Sequence, residues 1–289
     1  MPRRSPRRRT LSLATVVVLL AVLTPLAFLA LSSTEQTVDR AKAIVPLPPK
    51  PYLAPSESRK LPPAHPSAAL CERDDVECPD LAMRAPYQLV PDTIRGRRVL
   101  RVANAVMSIG KGPVEVRGVR SGALTMAATQ YLRRPGGASK SVPGGAGTIV
   151  FKAIPAQGRI WKFQDAARFE LWTTGRAPRL VRTGPKLVYC LRDLRRLYDW
   201  RRSPGREVYP ACSRSAKRTR VTLGTSAGWA DIYPASYYQQ WIDVTGLRGC
   251  FDLTHIADPK NRIVESDETN NEATTRIQLP MGRKLVRRC

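Results

Sequence analysis

Apolar and polar residues alternate over short distances from residue 97 onwards, which is the period of β-strands. Residues 97–118 alternate, reach a glycine-containing turn at 110–113 and alternate again, a pattern that predicts a β-hairpin. Further strands, rich in β-branched and aromatic residues and separated by turn residues, are predicted at 147–155, 159–163, 168–174, 186–193, 239–247, 250–258 and 272–280. Only residues 193–200 have a weak helical pattern. The pattern therefore predicts an all-β, antiparallel β-sandwich.

The stretch GRIWKFQDAARFELW, residues 158–172, places two tryptophans and two phenylalanines among a few charges. It predicts two short strands around a turn. Alternate residues of a strand share one face, so such a stretch either builds a reactive site or supplies a core.

The first 32 residues are predicted to be an export signal. Five arginines precede an uncharged apolar run of 21 residues, 11–31, and small residues lie at its end. A run of this length can also span a bilayer, so two outcomes stay open: a cleaved signal peptide, or an apolar helix that anchors the chain in the membrane. Both place the rest of the chain outside the cytoplasm, secreted or membrane-anchored.

Residues 33–70 are predicted to be a proline-rich linker. Eight prolines lie between Pro46 and Pro66, and proline favours extended polyproline geometry. This segment is expected to act as a semi-rigid stalk. Residues 71–289 are then the folded domain.

The chain is strongly basic, with 48 Lys and Arg against 23 Asp and Glu. Such a surface attracts an acidic envelope polymer or an acidic protein surface, unless it is only a solvated face. The basic character is strongest over 176–220, and the candidate contacts are Arg195, Arg196, Arg201 and Arg202. The export signal and the lack of a recognisable binding motif argue against nucleic acid.

All six cysteines lie beyond the predicted linker, and an even number in an exported chain predicts disulfides. Fifteen pairings exist. The compact spacing favours Cys71–Cys78; Cys190–Cys212 would then close the basic loop, and Cys250–Cys289 would hold the C-terminal tail. No pair has the close Cys-x-x-Cys spacing of a zinc site.

Few residues offer other chemistry. The two histidines are His65 in the linker and His255 in a predicted strand, where a structural role is favoured. Glu265, Asp267 and Glu268 cluster within 264–271 and could hold calcium through oxygen ligands. The spacing of an EF-hand is absent, so a solvated turn is the favoured interpretation.

Several separate motifs resemble the lysyl oxidase family. They are GPKLVYCLRD at 184–193, GWADIYPASYYQQWIDVTGL at 228–247 and ADPKNRIVESDETNNEATTRIQL at 257–279. Residues 97–118 resemble the first hairpin of bacterial members, so the resemblance runs in order from about Leu81 to Leu279.

The resemblance implies a secreted, disulfide-bonded β-sandwich that oxidises lysine side-chain amines to aldehydes. The family uses copper and a quinone built from its own lysine and tyrosine, which correspond here to Lys186 and Tyr233. The family's three copper-binding histidines correspond to Gly158, Ile160 and Lys162, so all three ligands are missing.

These departures predict an exported pseudoenzyme without a cofactor, acting in binding or envelope structure. One alternative is a copper-dependent amine oxidase that keeps the lysine tyrosylquinone and has a rebuilt metal site. Another is an unrelated exported β-sandwich, in which Lys186 and Tyr233 would lie far apart.

Overall fold

The structure is a computed structural model that describes residues 65–197, 203–280 and 289. The predicted export signal and most of the predicted linker lie outside the described residues. At the start of the described chain, His65 is buried and a short 3-10 helix, Ala68–Glu72, precedes the first strand. None of the described segments forms a helix with the length and apolar character that crossing a bilayer requires.

The described residues form seventeen strands. They are β1 (Leu81–Met83), β2 (Tyr87–Ile94), β3 (Arg97–Ser108), β4 (Val114–Gly122), β5 (Thr125–Arg133), β6 (Ser139–Ser141), β7 (Gly147–Ile154), β8 (Gly158–Gln164), β9 (Ala167–Thr173), β10 (Leu180–Thr183), β11 (Val188–Tyr189), β12 (Arg195–Arg196), β13 (Arg220–Thr225), β14 (Trp229–Tyr233), β15 (Trp241–Asp243), β16 (Gly249–Ala257) and β17 (Glu272–Leu279).

The strands form three antiparallel sheets. The first sheet has the order β1-β3-β14-β12, with β2 and β15 also paired to the long strand β3. The second sheet is β10-β9-β16-β17, and the third is β11-β8-β7-β5-β4-β13 with β6 paired to β5. The prediction of an all-β, antiparallel domain is therefore confirmed over the described residues.

The predicted hairpin over 97–118 has its two strands in the right places but is wrong in their pairing. Strand β3 belongs to the first sheet and β4 to the third. The turn between them is crossed by residues 77–80: a Cβ on Gly110 would lie 2.5 Å from the backbone nitrogen of Asp80, and one on Gly112 would overlap Glu77. The two glycines thus serve the close approach of another segment rather than a hairpin turn.

The stretch 158–172 likewise forms two strands, as predicted, and these also lie in different sheets. Strand β8 pairs with β7 and β11 in the third sheet, and β9 pairs with β10 and β16 in the second. The turn between them therefore connects two sheets.

The weak helical prediction for 193–200 is wrong over its described part. Arg195 and Arg196 form β12, which pairs with Trp229 and Ala230 of β14. The flanking amides of Leu194 and Leu197 donate to carbonyl oxygens of the same neighbouring segment, at 3.2 and 2.8 Å. These cross-strand bonds at the sheet edge outweigh a weak local propensity. Residues 198–200 lie outside the described part of the chain.

Two apolar cores pack the sheets together. The larger core includes Val106 of β3, Met126 of β5 and Trp161 of β8, so it joins the first sheet to the third. The second core packs Leu100 of β3 against Leu253 of β16, in the second sheet. Strand β3 thus contributes to both cores, which explains why its last seven residues are all buried.

The three disulfides join Cys71 to Cys78, Cys190 to Cys212 and Cys250 to Cys289, so all six cysteines are paired as the sequence predicts. The second of these bonds holds the segment that follows Lys186, and it therefore bears on the candidate site.

Candidate functional site

A buried group of polar side chains, here called the polar centre, lies where the three sheets meet. It consists of Asn104, Lys162, Lys186, Tyr189, Asp231, Tyr233 and His255, all nearly inaccessible to solvent. The first sheet supplies Asn104, Asp231 and Tyr233; the second supplies His255; and the third supplies Lys162 and Tyr189, with Lys186 just before β11.

Lys186 and Tyr233 lie together in this centre. The Nζ of Lys186 is 4.4 Å from the centroid of the Tyr233 ring and 5.1 Å from that of Tyr189. Lys186 is 4% exposed and Tyr233 is 3% exposed, so the contact is screened little by water. The two side chains are therefore in contact, while their family role stays a prediction.

The hydroxyl of Tyr233 is fixed by two hydrogen bonds. It donates to Oδ2 of Asp231 at 2.6 Å and accepts from the backbone amide of Cys190 at 2.8 Å. Asp231 is two residues earlier in β14, hence on the same face of the strand, and it also accepts from the amide of Leu191 at 3.1 Å. Burial, reinforced by the Asp231 carboxylate, raises the pKa of Tyr233 well above its usual value.

Lys162 is the second amine of the centre. Its Nζ lies 5.7 Å from the centroid of the Tyr233 ring, and the side chain is 4% exposed. Burial lowers the pKa of Lys162, and the charge of Asp231 opposes that effect. Burial likewise raises the pKa of Asp231 to about 6, against the opposing effects of the Tyr233 hydrogen bond and the Lys162 charge.

The amine of Lys186 is also strongly perturbed. Burial, and then the charge of Lys162, lower the pKa of Lys186 to about 7. The uncharged form of this amine is therefore favoured at neutral pH much more than in a lysine with the ordinary pKa.

Comparison with known families bears on the part of the chain that carries this pair. The sequence model described as lysyl oxidase matches residues 163–289. Residues 163–289 are therefore similar to the lysyl oxidase family. The match includes Lys186 and Tyr233 and begins directly after Lys162, so the three expected copper positions lie just ahead of it. No curated protein matches the chain.

The residues present do not fit the copper of the lysyl oxidase family. Gly158 has no side chain and is exposed at the start of β8, while Ile160 is part of the larger core. Lys162 brings an ammonium into the polar centre. Across the described residues, no group of three or more His, Cys, Asp and Glu side chains is placed to hold a metal ion.

Both histidines occupy structural positions. His255 is fully buried, stacks on Phe169 with the ring centroids 4.1 Å apart, and has its Nε2 3.1 Å from the hydroxyl of Tyr189. Burial lowers its pKa well below 6.5, so it is neutral. The Nδ1 of His65 accepts a hydrogen bond from the backbone amide of Ser67 at 3.1 Å. His65 is far from the residues of the polar centre in the sequence.

The acidic turn at 264–271 is not fully solvated, contrary to the favoured interpretation of its sequence. Glu265 is 4% exposed; its carboxylate accepts from the amide of Leu81 and from Asn271, the latter at 3.0 Å. Glu268 and Asp267 are only half-buried. Burial raises the pKa of Glu265 well above its usual value and that of Glu268 to about 7. The turn therefore holds the first residue of β1, Leu81, through a hydrogen bond to Glu265. The charge pattern of the turn did not indicate this structural role.

The four predicted polyanion contacts are only partly described. Arg195 and Arg196 are half-buried in β12, and Arg196 donates to the carbonyl oxygen of Ser203 at 3.2 Å. Arg201 and Arg202 lie outside the described residues.

Sequence reasoning missed Asn104, Tyr189 and Asp231. No strand was predicted at 229–233, so the spacing of Asp231 and Tyr233, which puts both side chains on one face of β14, carried no signal in the sequence. Asn104 and Tyr189 meet His255 only through the arrangement of the sheets. Asn104 Nδ2 is 3.2 Å from the Tyr189 hydroxyl, and both groups lie within 3.1 Å of His255 Nε2.

The perturbed amines predict a pH-dependent stability. The folded-state pKa of Lys186 lies below its unfolded value of 10.5, so unfolding takes up a proton between about pH 7 and pH 10 and stability rises with pH there. The lowered pKa of Lys162 changes the stability in the same direction. The raised pKa of Asp231 affects the stability only below about pH 6, and the raised pKa of Tyr233 affects it only above the usual pKa of tyrosine. Urea unfolding at pH 7 and pH 9 should show that the wild-type chain gains on the order of 1–2 kcal/mol relative to Lys186→Met.

The matched control for this comparison is Lys217→Met, at an exposed lysine. Its difference from the wild type should not change with pH. An equal pH dependence in Lys186→Met and in the wild-type chain would contradict the perturbed pKa of Lys186.

Proposed function

We propose that this chain is an exported member of the lysyl oxidase family that has lost amine oxidation and acts by binding. Its partner is an acidic polymer of the cell envelope or an acidic protein surface. The observation that carries the loss of oxidation is the side chain of Lys162, which stands beside Tyr233 where the family resemblance expects a copper ligand.

The charge at this position disfavours copper binding. An ammonium repels a cupric ion and offers no lone pair while protonated, and the neighbouring positions hold a glycine and an isoleucine. Removing both cations from water adds an unfavourable desolvation term. Without copper there is no route in this site for oxidising the Tyr233 ring, and the amine of Lys186 has no quinone to join.

Export is supported by the order of the N-terminal residues and by the disulfides. Three disulfides in one domain are typical of proteins that fold in an oxidising compartment. Binding is supported by charge, since residues 176–220 carry 14 Lys and Arg against 3 Asp and Glu.

The binding proposal is tested with the full chain and poly-glutamate at several salt concentrations. Affinity should fall steeply with salt, because each contact releases counterions. Reversing Arg201 and Arg202 to glutamate should weaken binding by at least about tenfold at low salt. Reversing Arg98 and Arg159, which are exposed arginines outside the basic region, should have a much smaller effect. An affinity for poly-glutamate that changes neither with salt concentration nor with either pair of reversals would contradict the proposal.

The alternative, a copper-dependent amine oxidase with a rebuilt metal site, is distinguished by its products. An alkylamine, oxygen and water would give an aldehyde, ammonia and hydrogen peroxide. The copper-treated full chain is expected to release no more hydrogen peroxide than the metal-free chain. Peroxide release that disappears in Lys186→Arg would favour the alternative.

A further inference from the structure

Two buried amines converge on one aromatic ring in the polar centre. Lys186 lies 4.4 Å and Lys162 5.7 Å from the centroid of Tyr233, and both are 4% exposed. Over residues 65–197 and 203–280, neither amine forms an ion pair or a hydrogen bond; their contacts are with the rings. Buried lysines are ordinarily paired, so this arrangement requires a physical explanation.

The arrangement favours a nucleophilic amine. A lysine becomes reactive when it is desolvated or placed beside another cation, since both conditions favour its uncharged form. Lys186 meets both conditions, and its pKa is lowered to about 7 by burial and by Lys162. The free electron pair that attacks a carbonyl carbon is thus available at neutral pH.

An open cleft reaches Tyr237, the neighbour of the Tyr233 ring. It has a volume of about 690 Å³ and is lined by residues that include Arg97, Arg101, Tyr237 and Gln239. The ring of Tyr237 packs edge-on against the ring of Tyr233, with centroids 6.0 Å apart. Tyr237 therefore stands between the cleft and the ring that both amines contact.

The surroundings also select the charge of a ligand. Lys152 donates to Gln239 of the cleft wall at 3.2 Å, and its charge contributes to lowering the pKa of both Lys162 and Lys186. Asp231 is the carboxylate whose charge acts on both amines. With more positive than negative groups around it, the site favours a carbonyl compound that itself carries a carboxylate.

We propose that Lys186 binds a small oxo acid covalently, as an imine, with Lys162 holding the carboxylate of the ligand. The nitrogen of Lys186 adds to the carbonyl carbon, and a proton moves from nitrogen to the carbonyl oxygen to give a carbinolamine. Loss of that hydroxyl group together with the remaining nitrogen proton gives the carbon–nitrogen double bond and one water. No oxidant or reductant takes part, and water reverses the reaction.

The test uses the full wild-type chain with glyoxylate and sodium cyanoborohydride at pH 7, followed by peptide mapping. The reductant makes the imine permanent, so the labelled lysines are identified by mass. Lys186 should be labelled at least about tenfold more than the exposed lysines Lys111 and Lys217. Labelling of Lys186 at or below their level would overturn the proposal.

Substitutions of Lys162 and Tyr237 test the roles of these two residues in imine formation. Glyoxylate should label Lys186 faster than the uncharged acetaldehyde does. Lys162→Met should abolish this preference, whereas Lys162→Arg, which keeps a cation, should retain it. A preference that survives in Lys162→Met overturns the role of Lys162.

Tyr237→Ala should speed the labelling of Lys186 at least about threefold, because it opens the cleft wall. Tyr238→Ala, which truncates an exposed tyrosine of the same cleft, should not speed it.

The inference rests on the proposed loss of quinone formation, because a quinone would consume the Lys186 amine. The same peptide map separates the two failures. An unmodified Lys186 peptide overturns the imine site and leaves the proposed function intact. A cross-linked peptide that contains both Lys186 and Tyr233 overturns the proposed function itself.

Discussion

Replacing Trp161 with alanine is expected to lower the free energy of unfolding by about 3–5 kcal/mol. Trp161 has no exposed surface, and its ring packs against that of Phe151 with centroids 5.0 Å apart. Its indole N–H donates to the carbonyl oxygen of Ser215 at 2.9 Å. Truncation therefore creates a cavity in the larger core and removes the donor from a carbonyl group of a neighbouring segment.

Urea unfolding measures this difference, and Tyr238→Ala is the matched control. Tyr238 is also aromatic but is 39% exposed, so its truncation should change the free energy of unfolding by no more than about 0.5 kcal/mol. A loss below about 1 kcal/mol for Trp161→Ala would contradict the conclusion that Trp161 is a tightly packed part of the larger core.

Histidines introduced together at positions 158, 160 and 162 are expected to create a copper site. Alternate residues of β8 share one face, and three imidazoles on one face can converge on one cupric ion. The substitutions also remove the ammonium of Lys162 from the polar centre. Copper binding, measured by isothermal titration, should become at least about 100-fold tighter than in the wild-type chain.

The matched control is Lys162→His alone, which removes the ammonium but provides one imidazole and no chelate. It should bind copper only weakly. The triple variant should be less stable than the wild type, since Ile160 is part of the larger core and Gly158 has a φ of +82°. Equal copper affinity in the folded triple variant and in Lys162→His would contradict the assignment of these three positions.

The sequence located several strands, among them β3, β4, β7, β8, β9, β16 and β17, but missed others such as β5, β13 and β14, and it did not predict the strand partners. The alternation over 97–118 located β3 and β4, but each strand pairs within a different sheet. What decides this is a long-range contact, because residues 77–80 pass over Gly110 and Gly112. A glycine that permits close packing and a glycine that permits a tight turn look the same in a sequence.

The candidate site was predictable in its pair of family residues but not in its electrostatics. The resemblance indicated Lys186 and Tyr233, and it marked Lys162 as a departure from the family pattern. That Lys162 points into a buried centre beside Asp231 depends on where three sheets meet. Charge patterning was less informative still: Arg195 and Arg196 belong to a basic run, yet hydrogen bonds at a sheet edge hold them half-buried.

The most direct test of the account is a copper titration of the untagged, full-length wild-type chain. The chain is incubated with excess cupric ion, passed through a desalting column and analysed for metal, with Lys162→His and the triple-histidine variant measured alongside. We expect less than about 0.1 copper per wild-type chain and close to one per triple-variant chain. One tightly held copper per wild-type chain, together with hydrogen peroxide release from an added alkylamine, would contradict it.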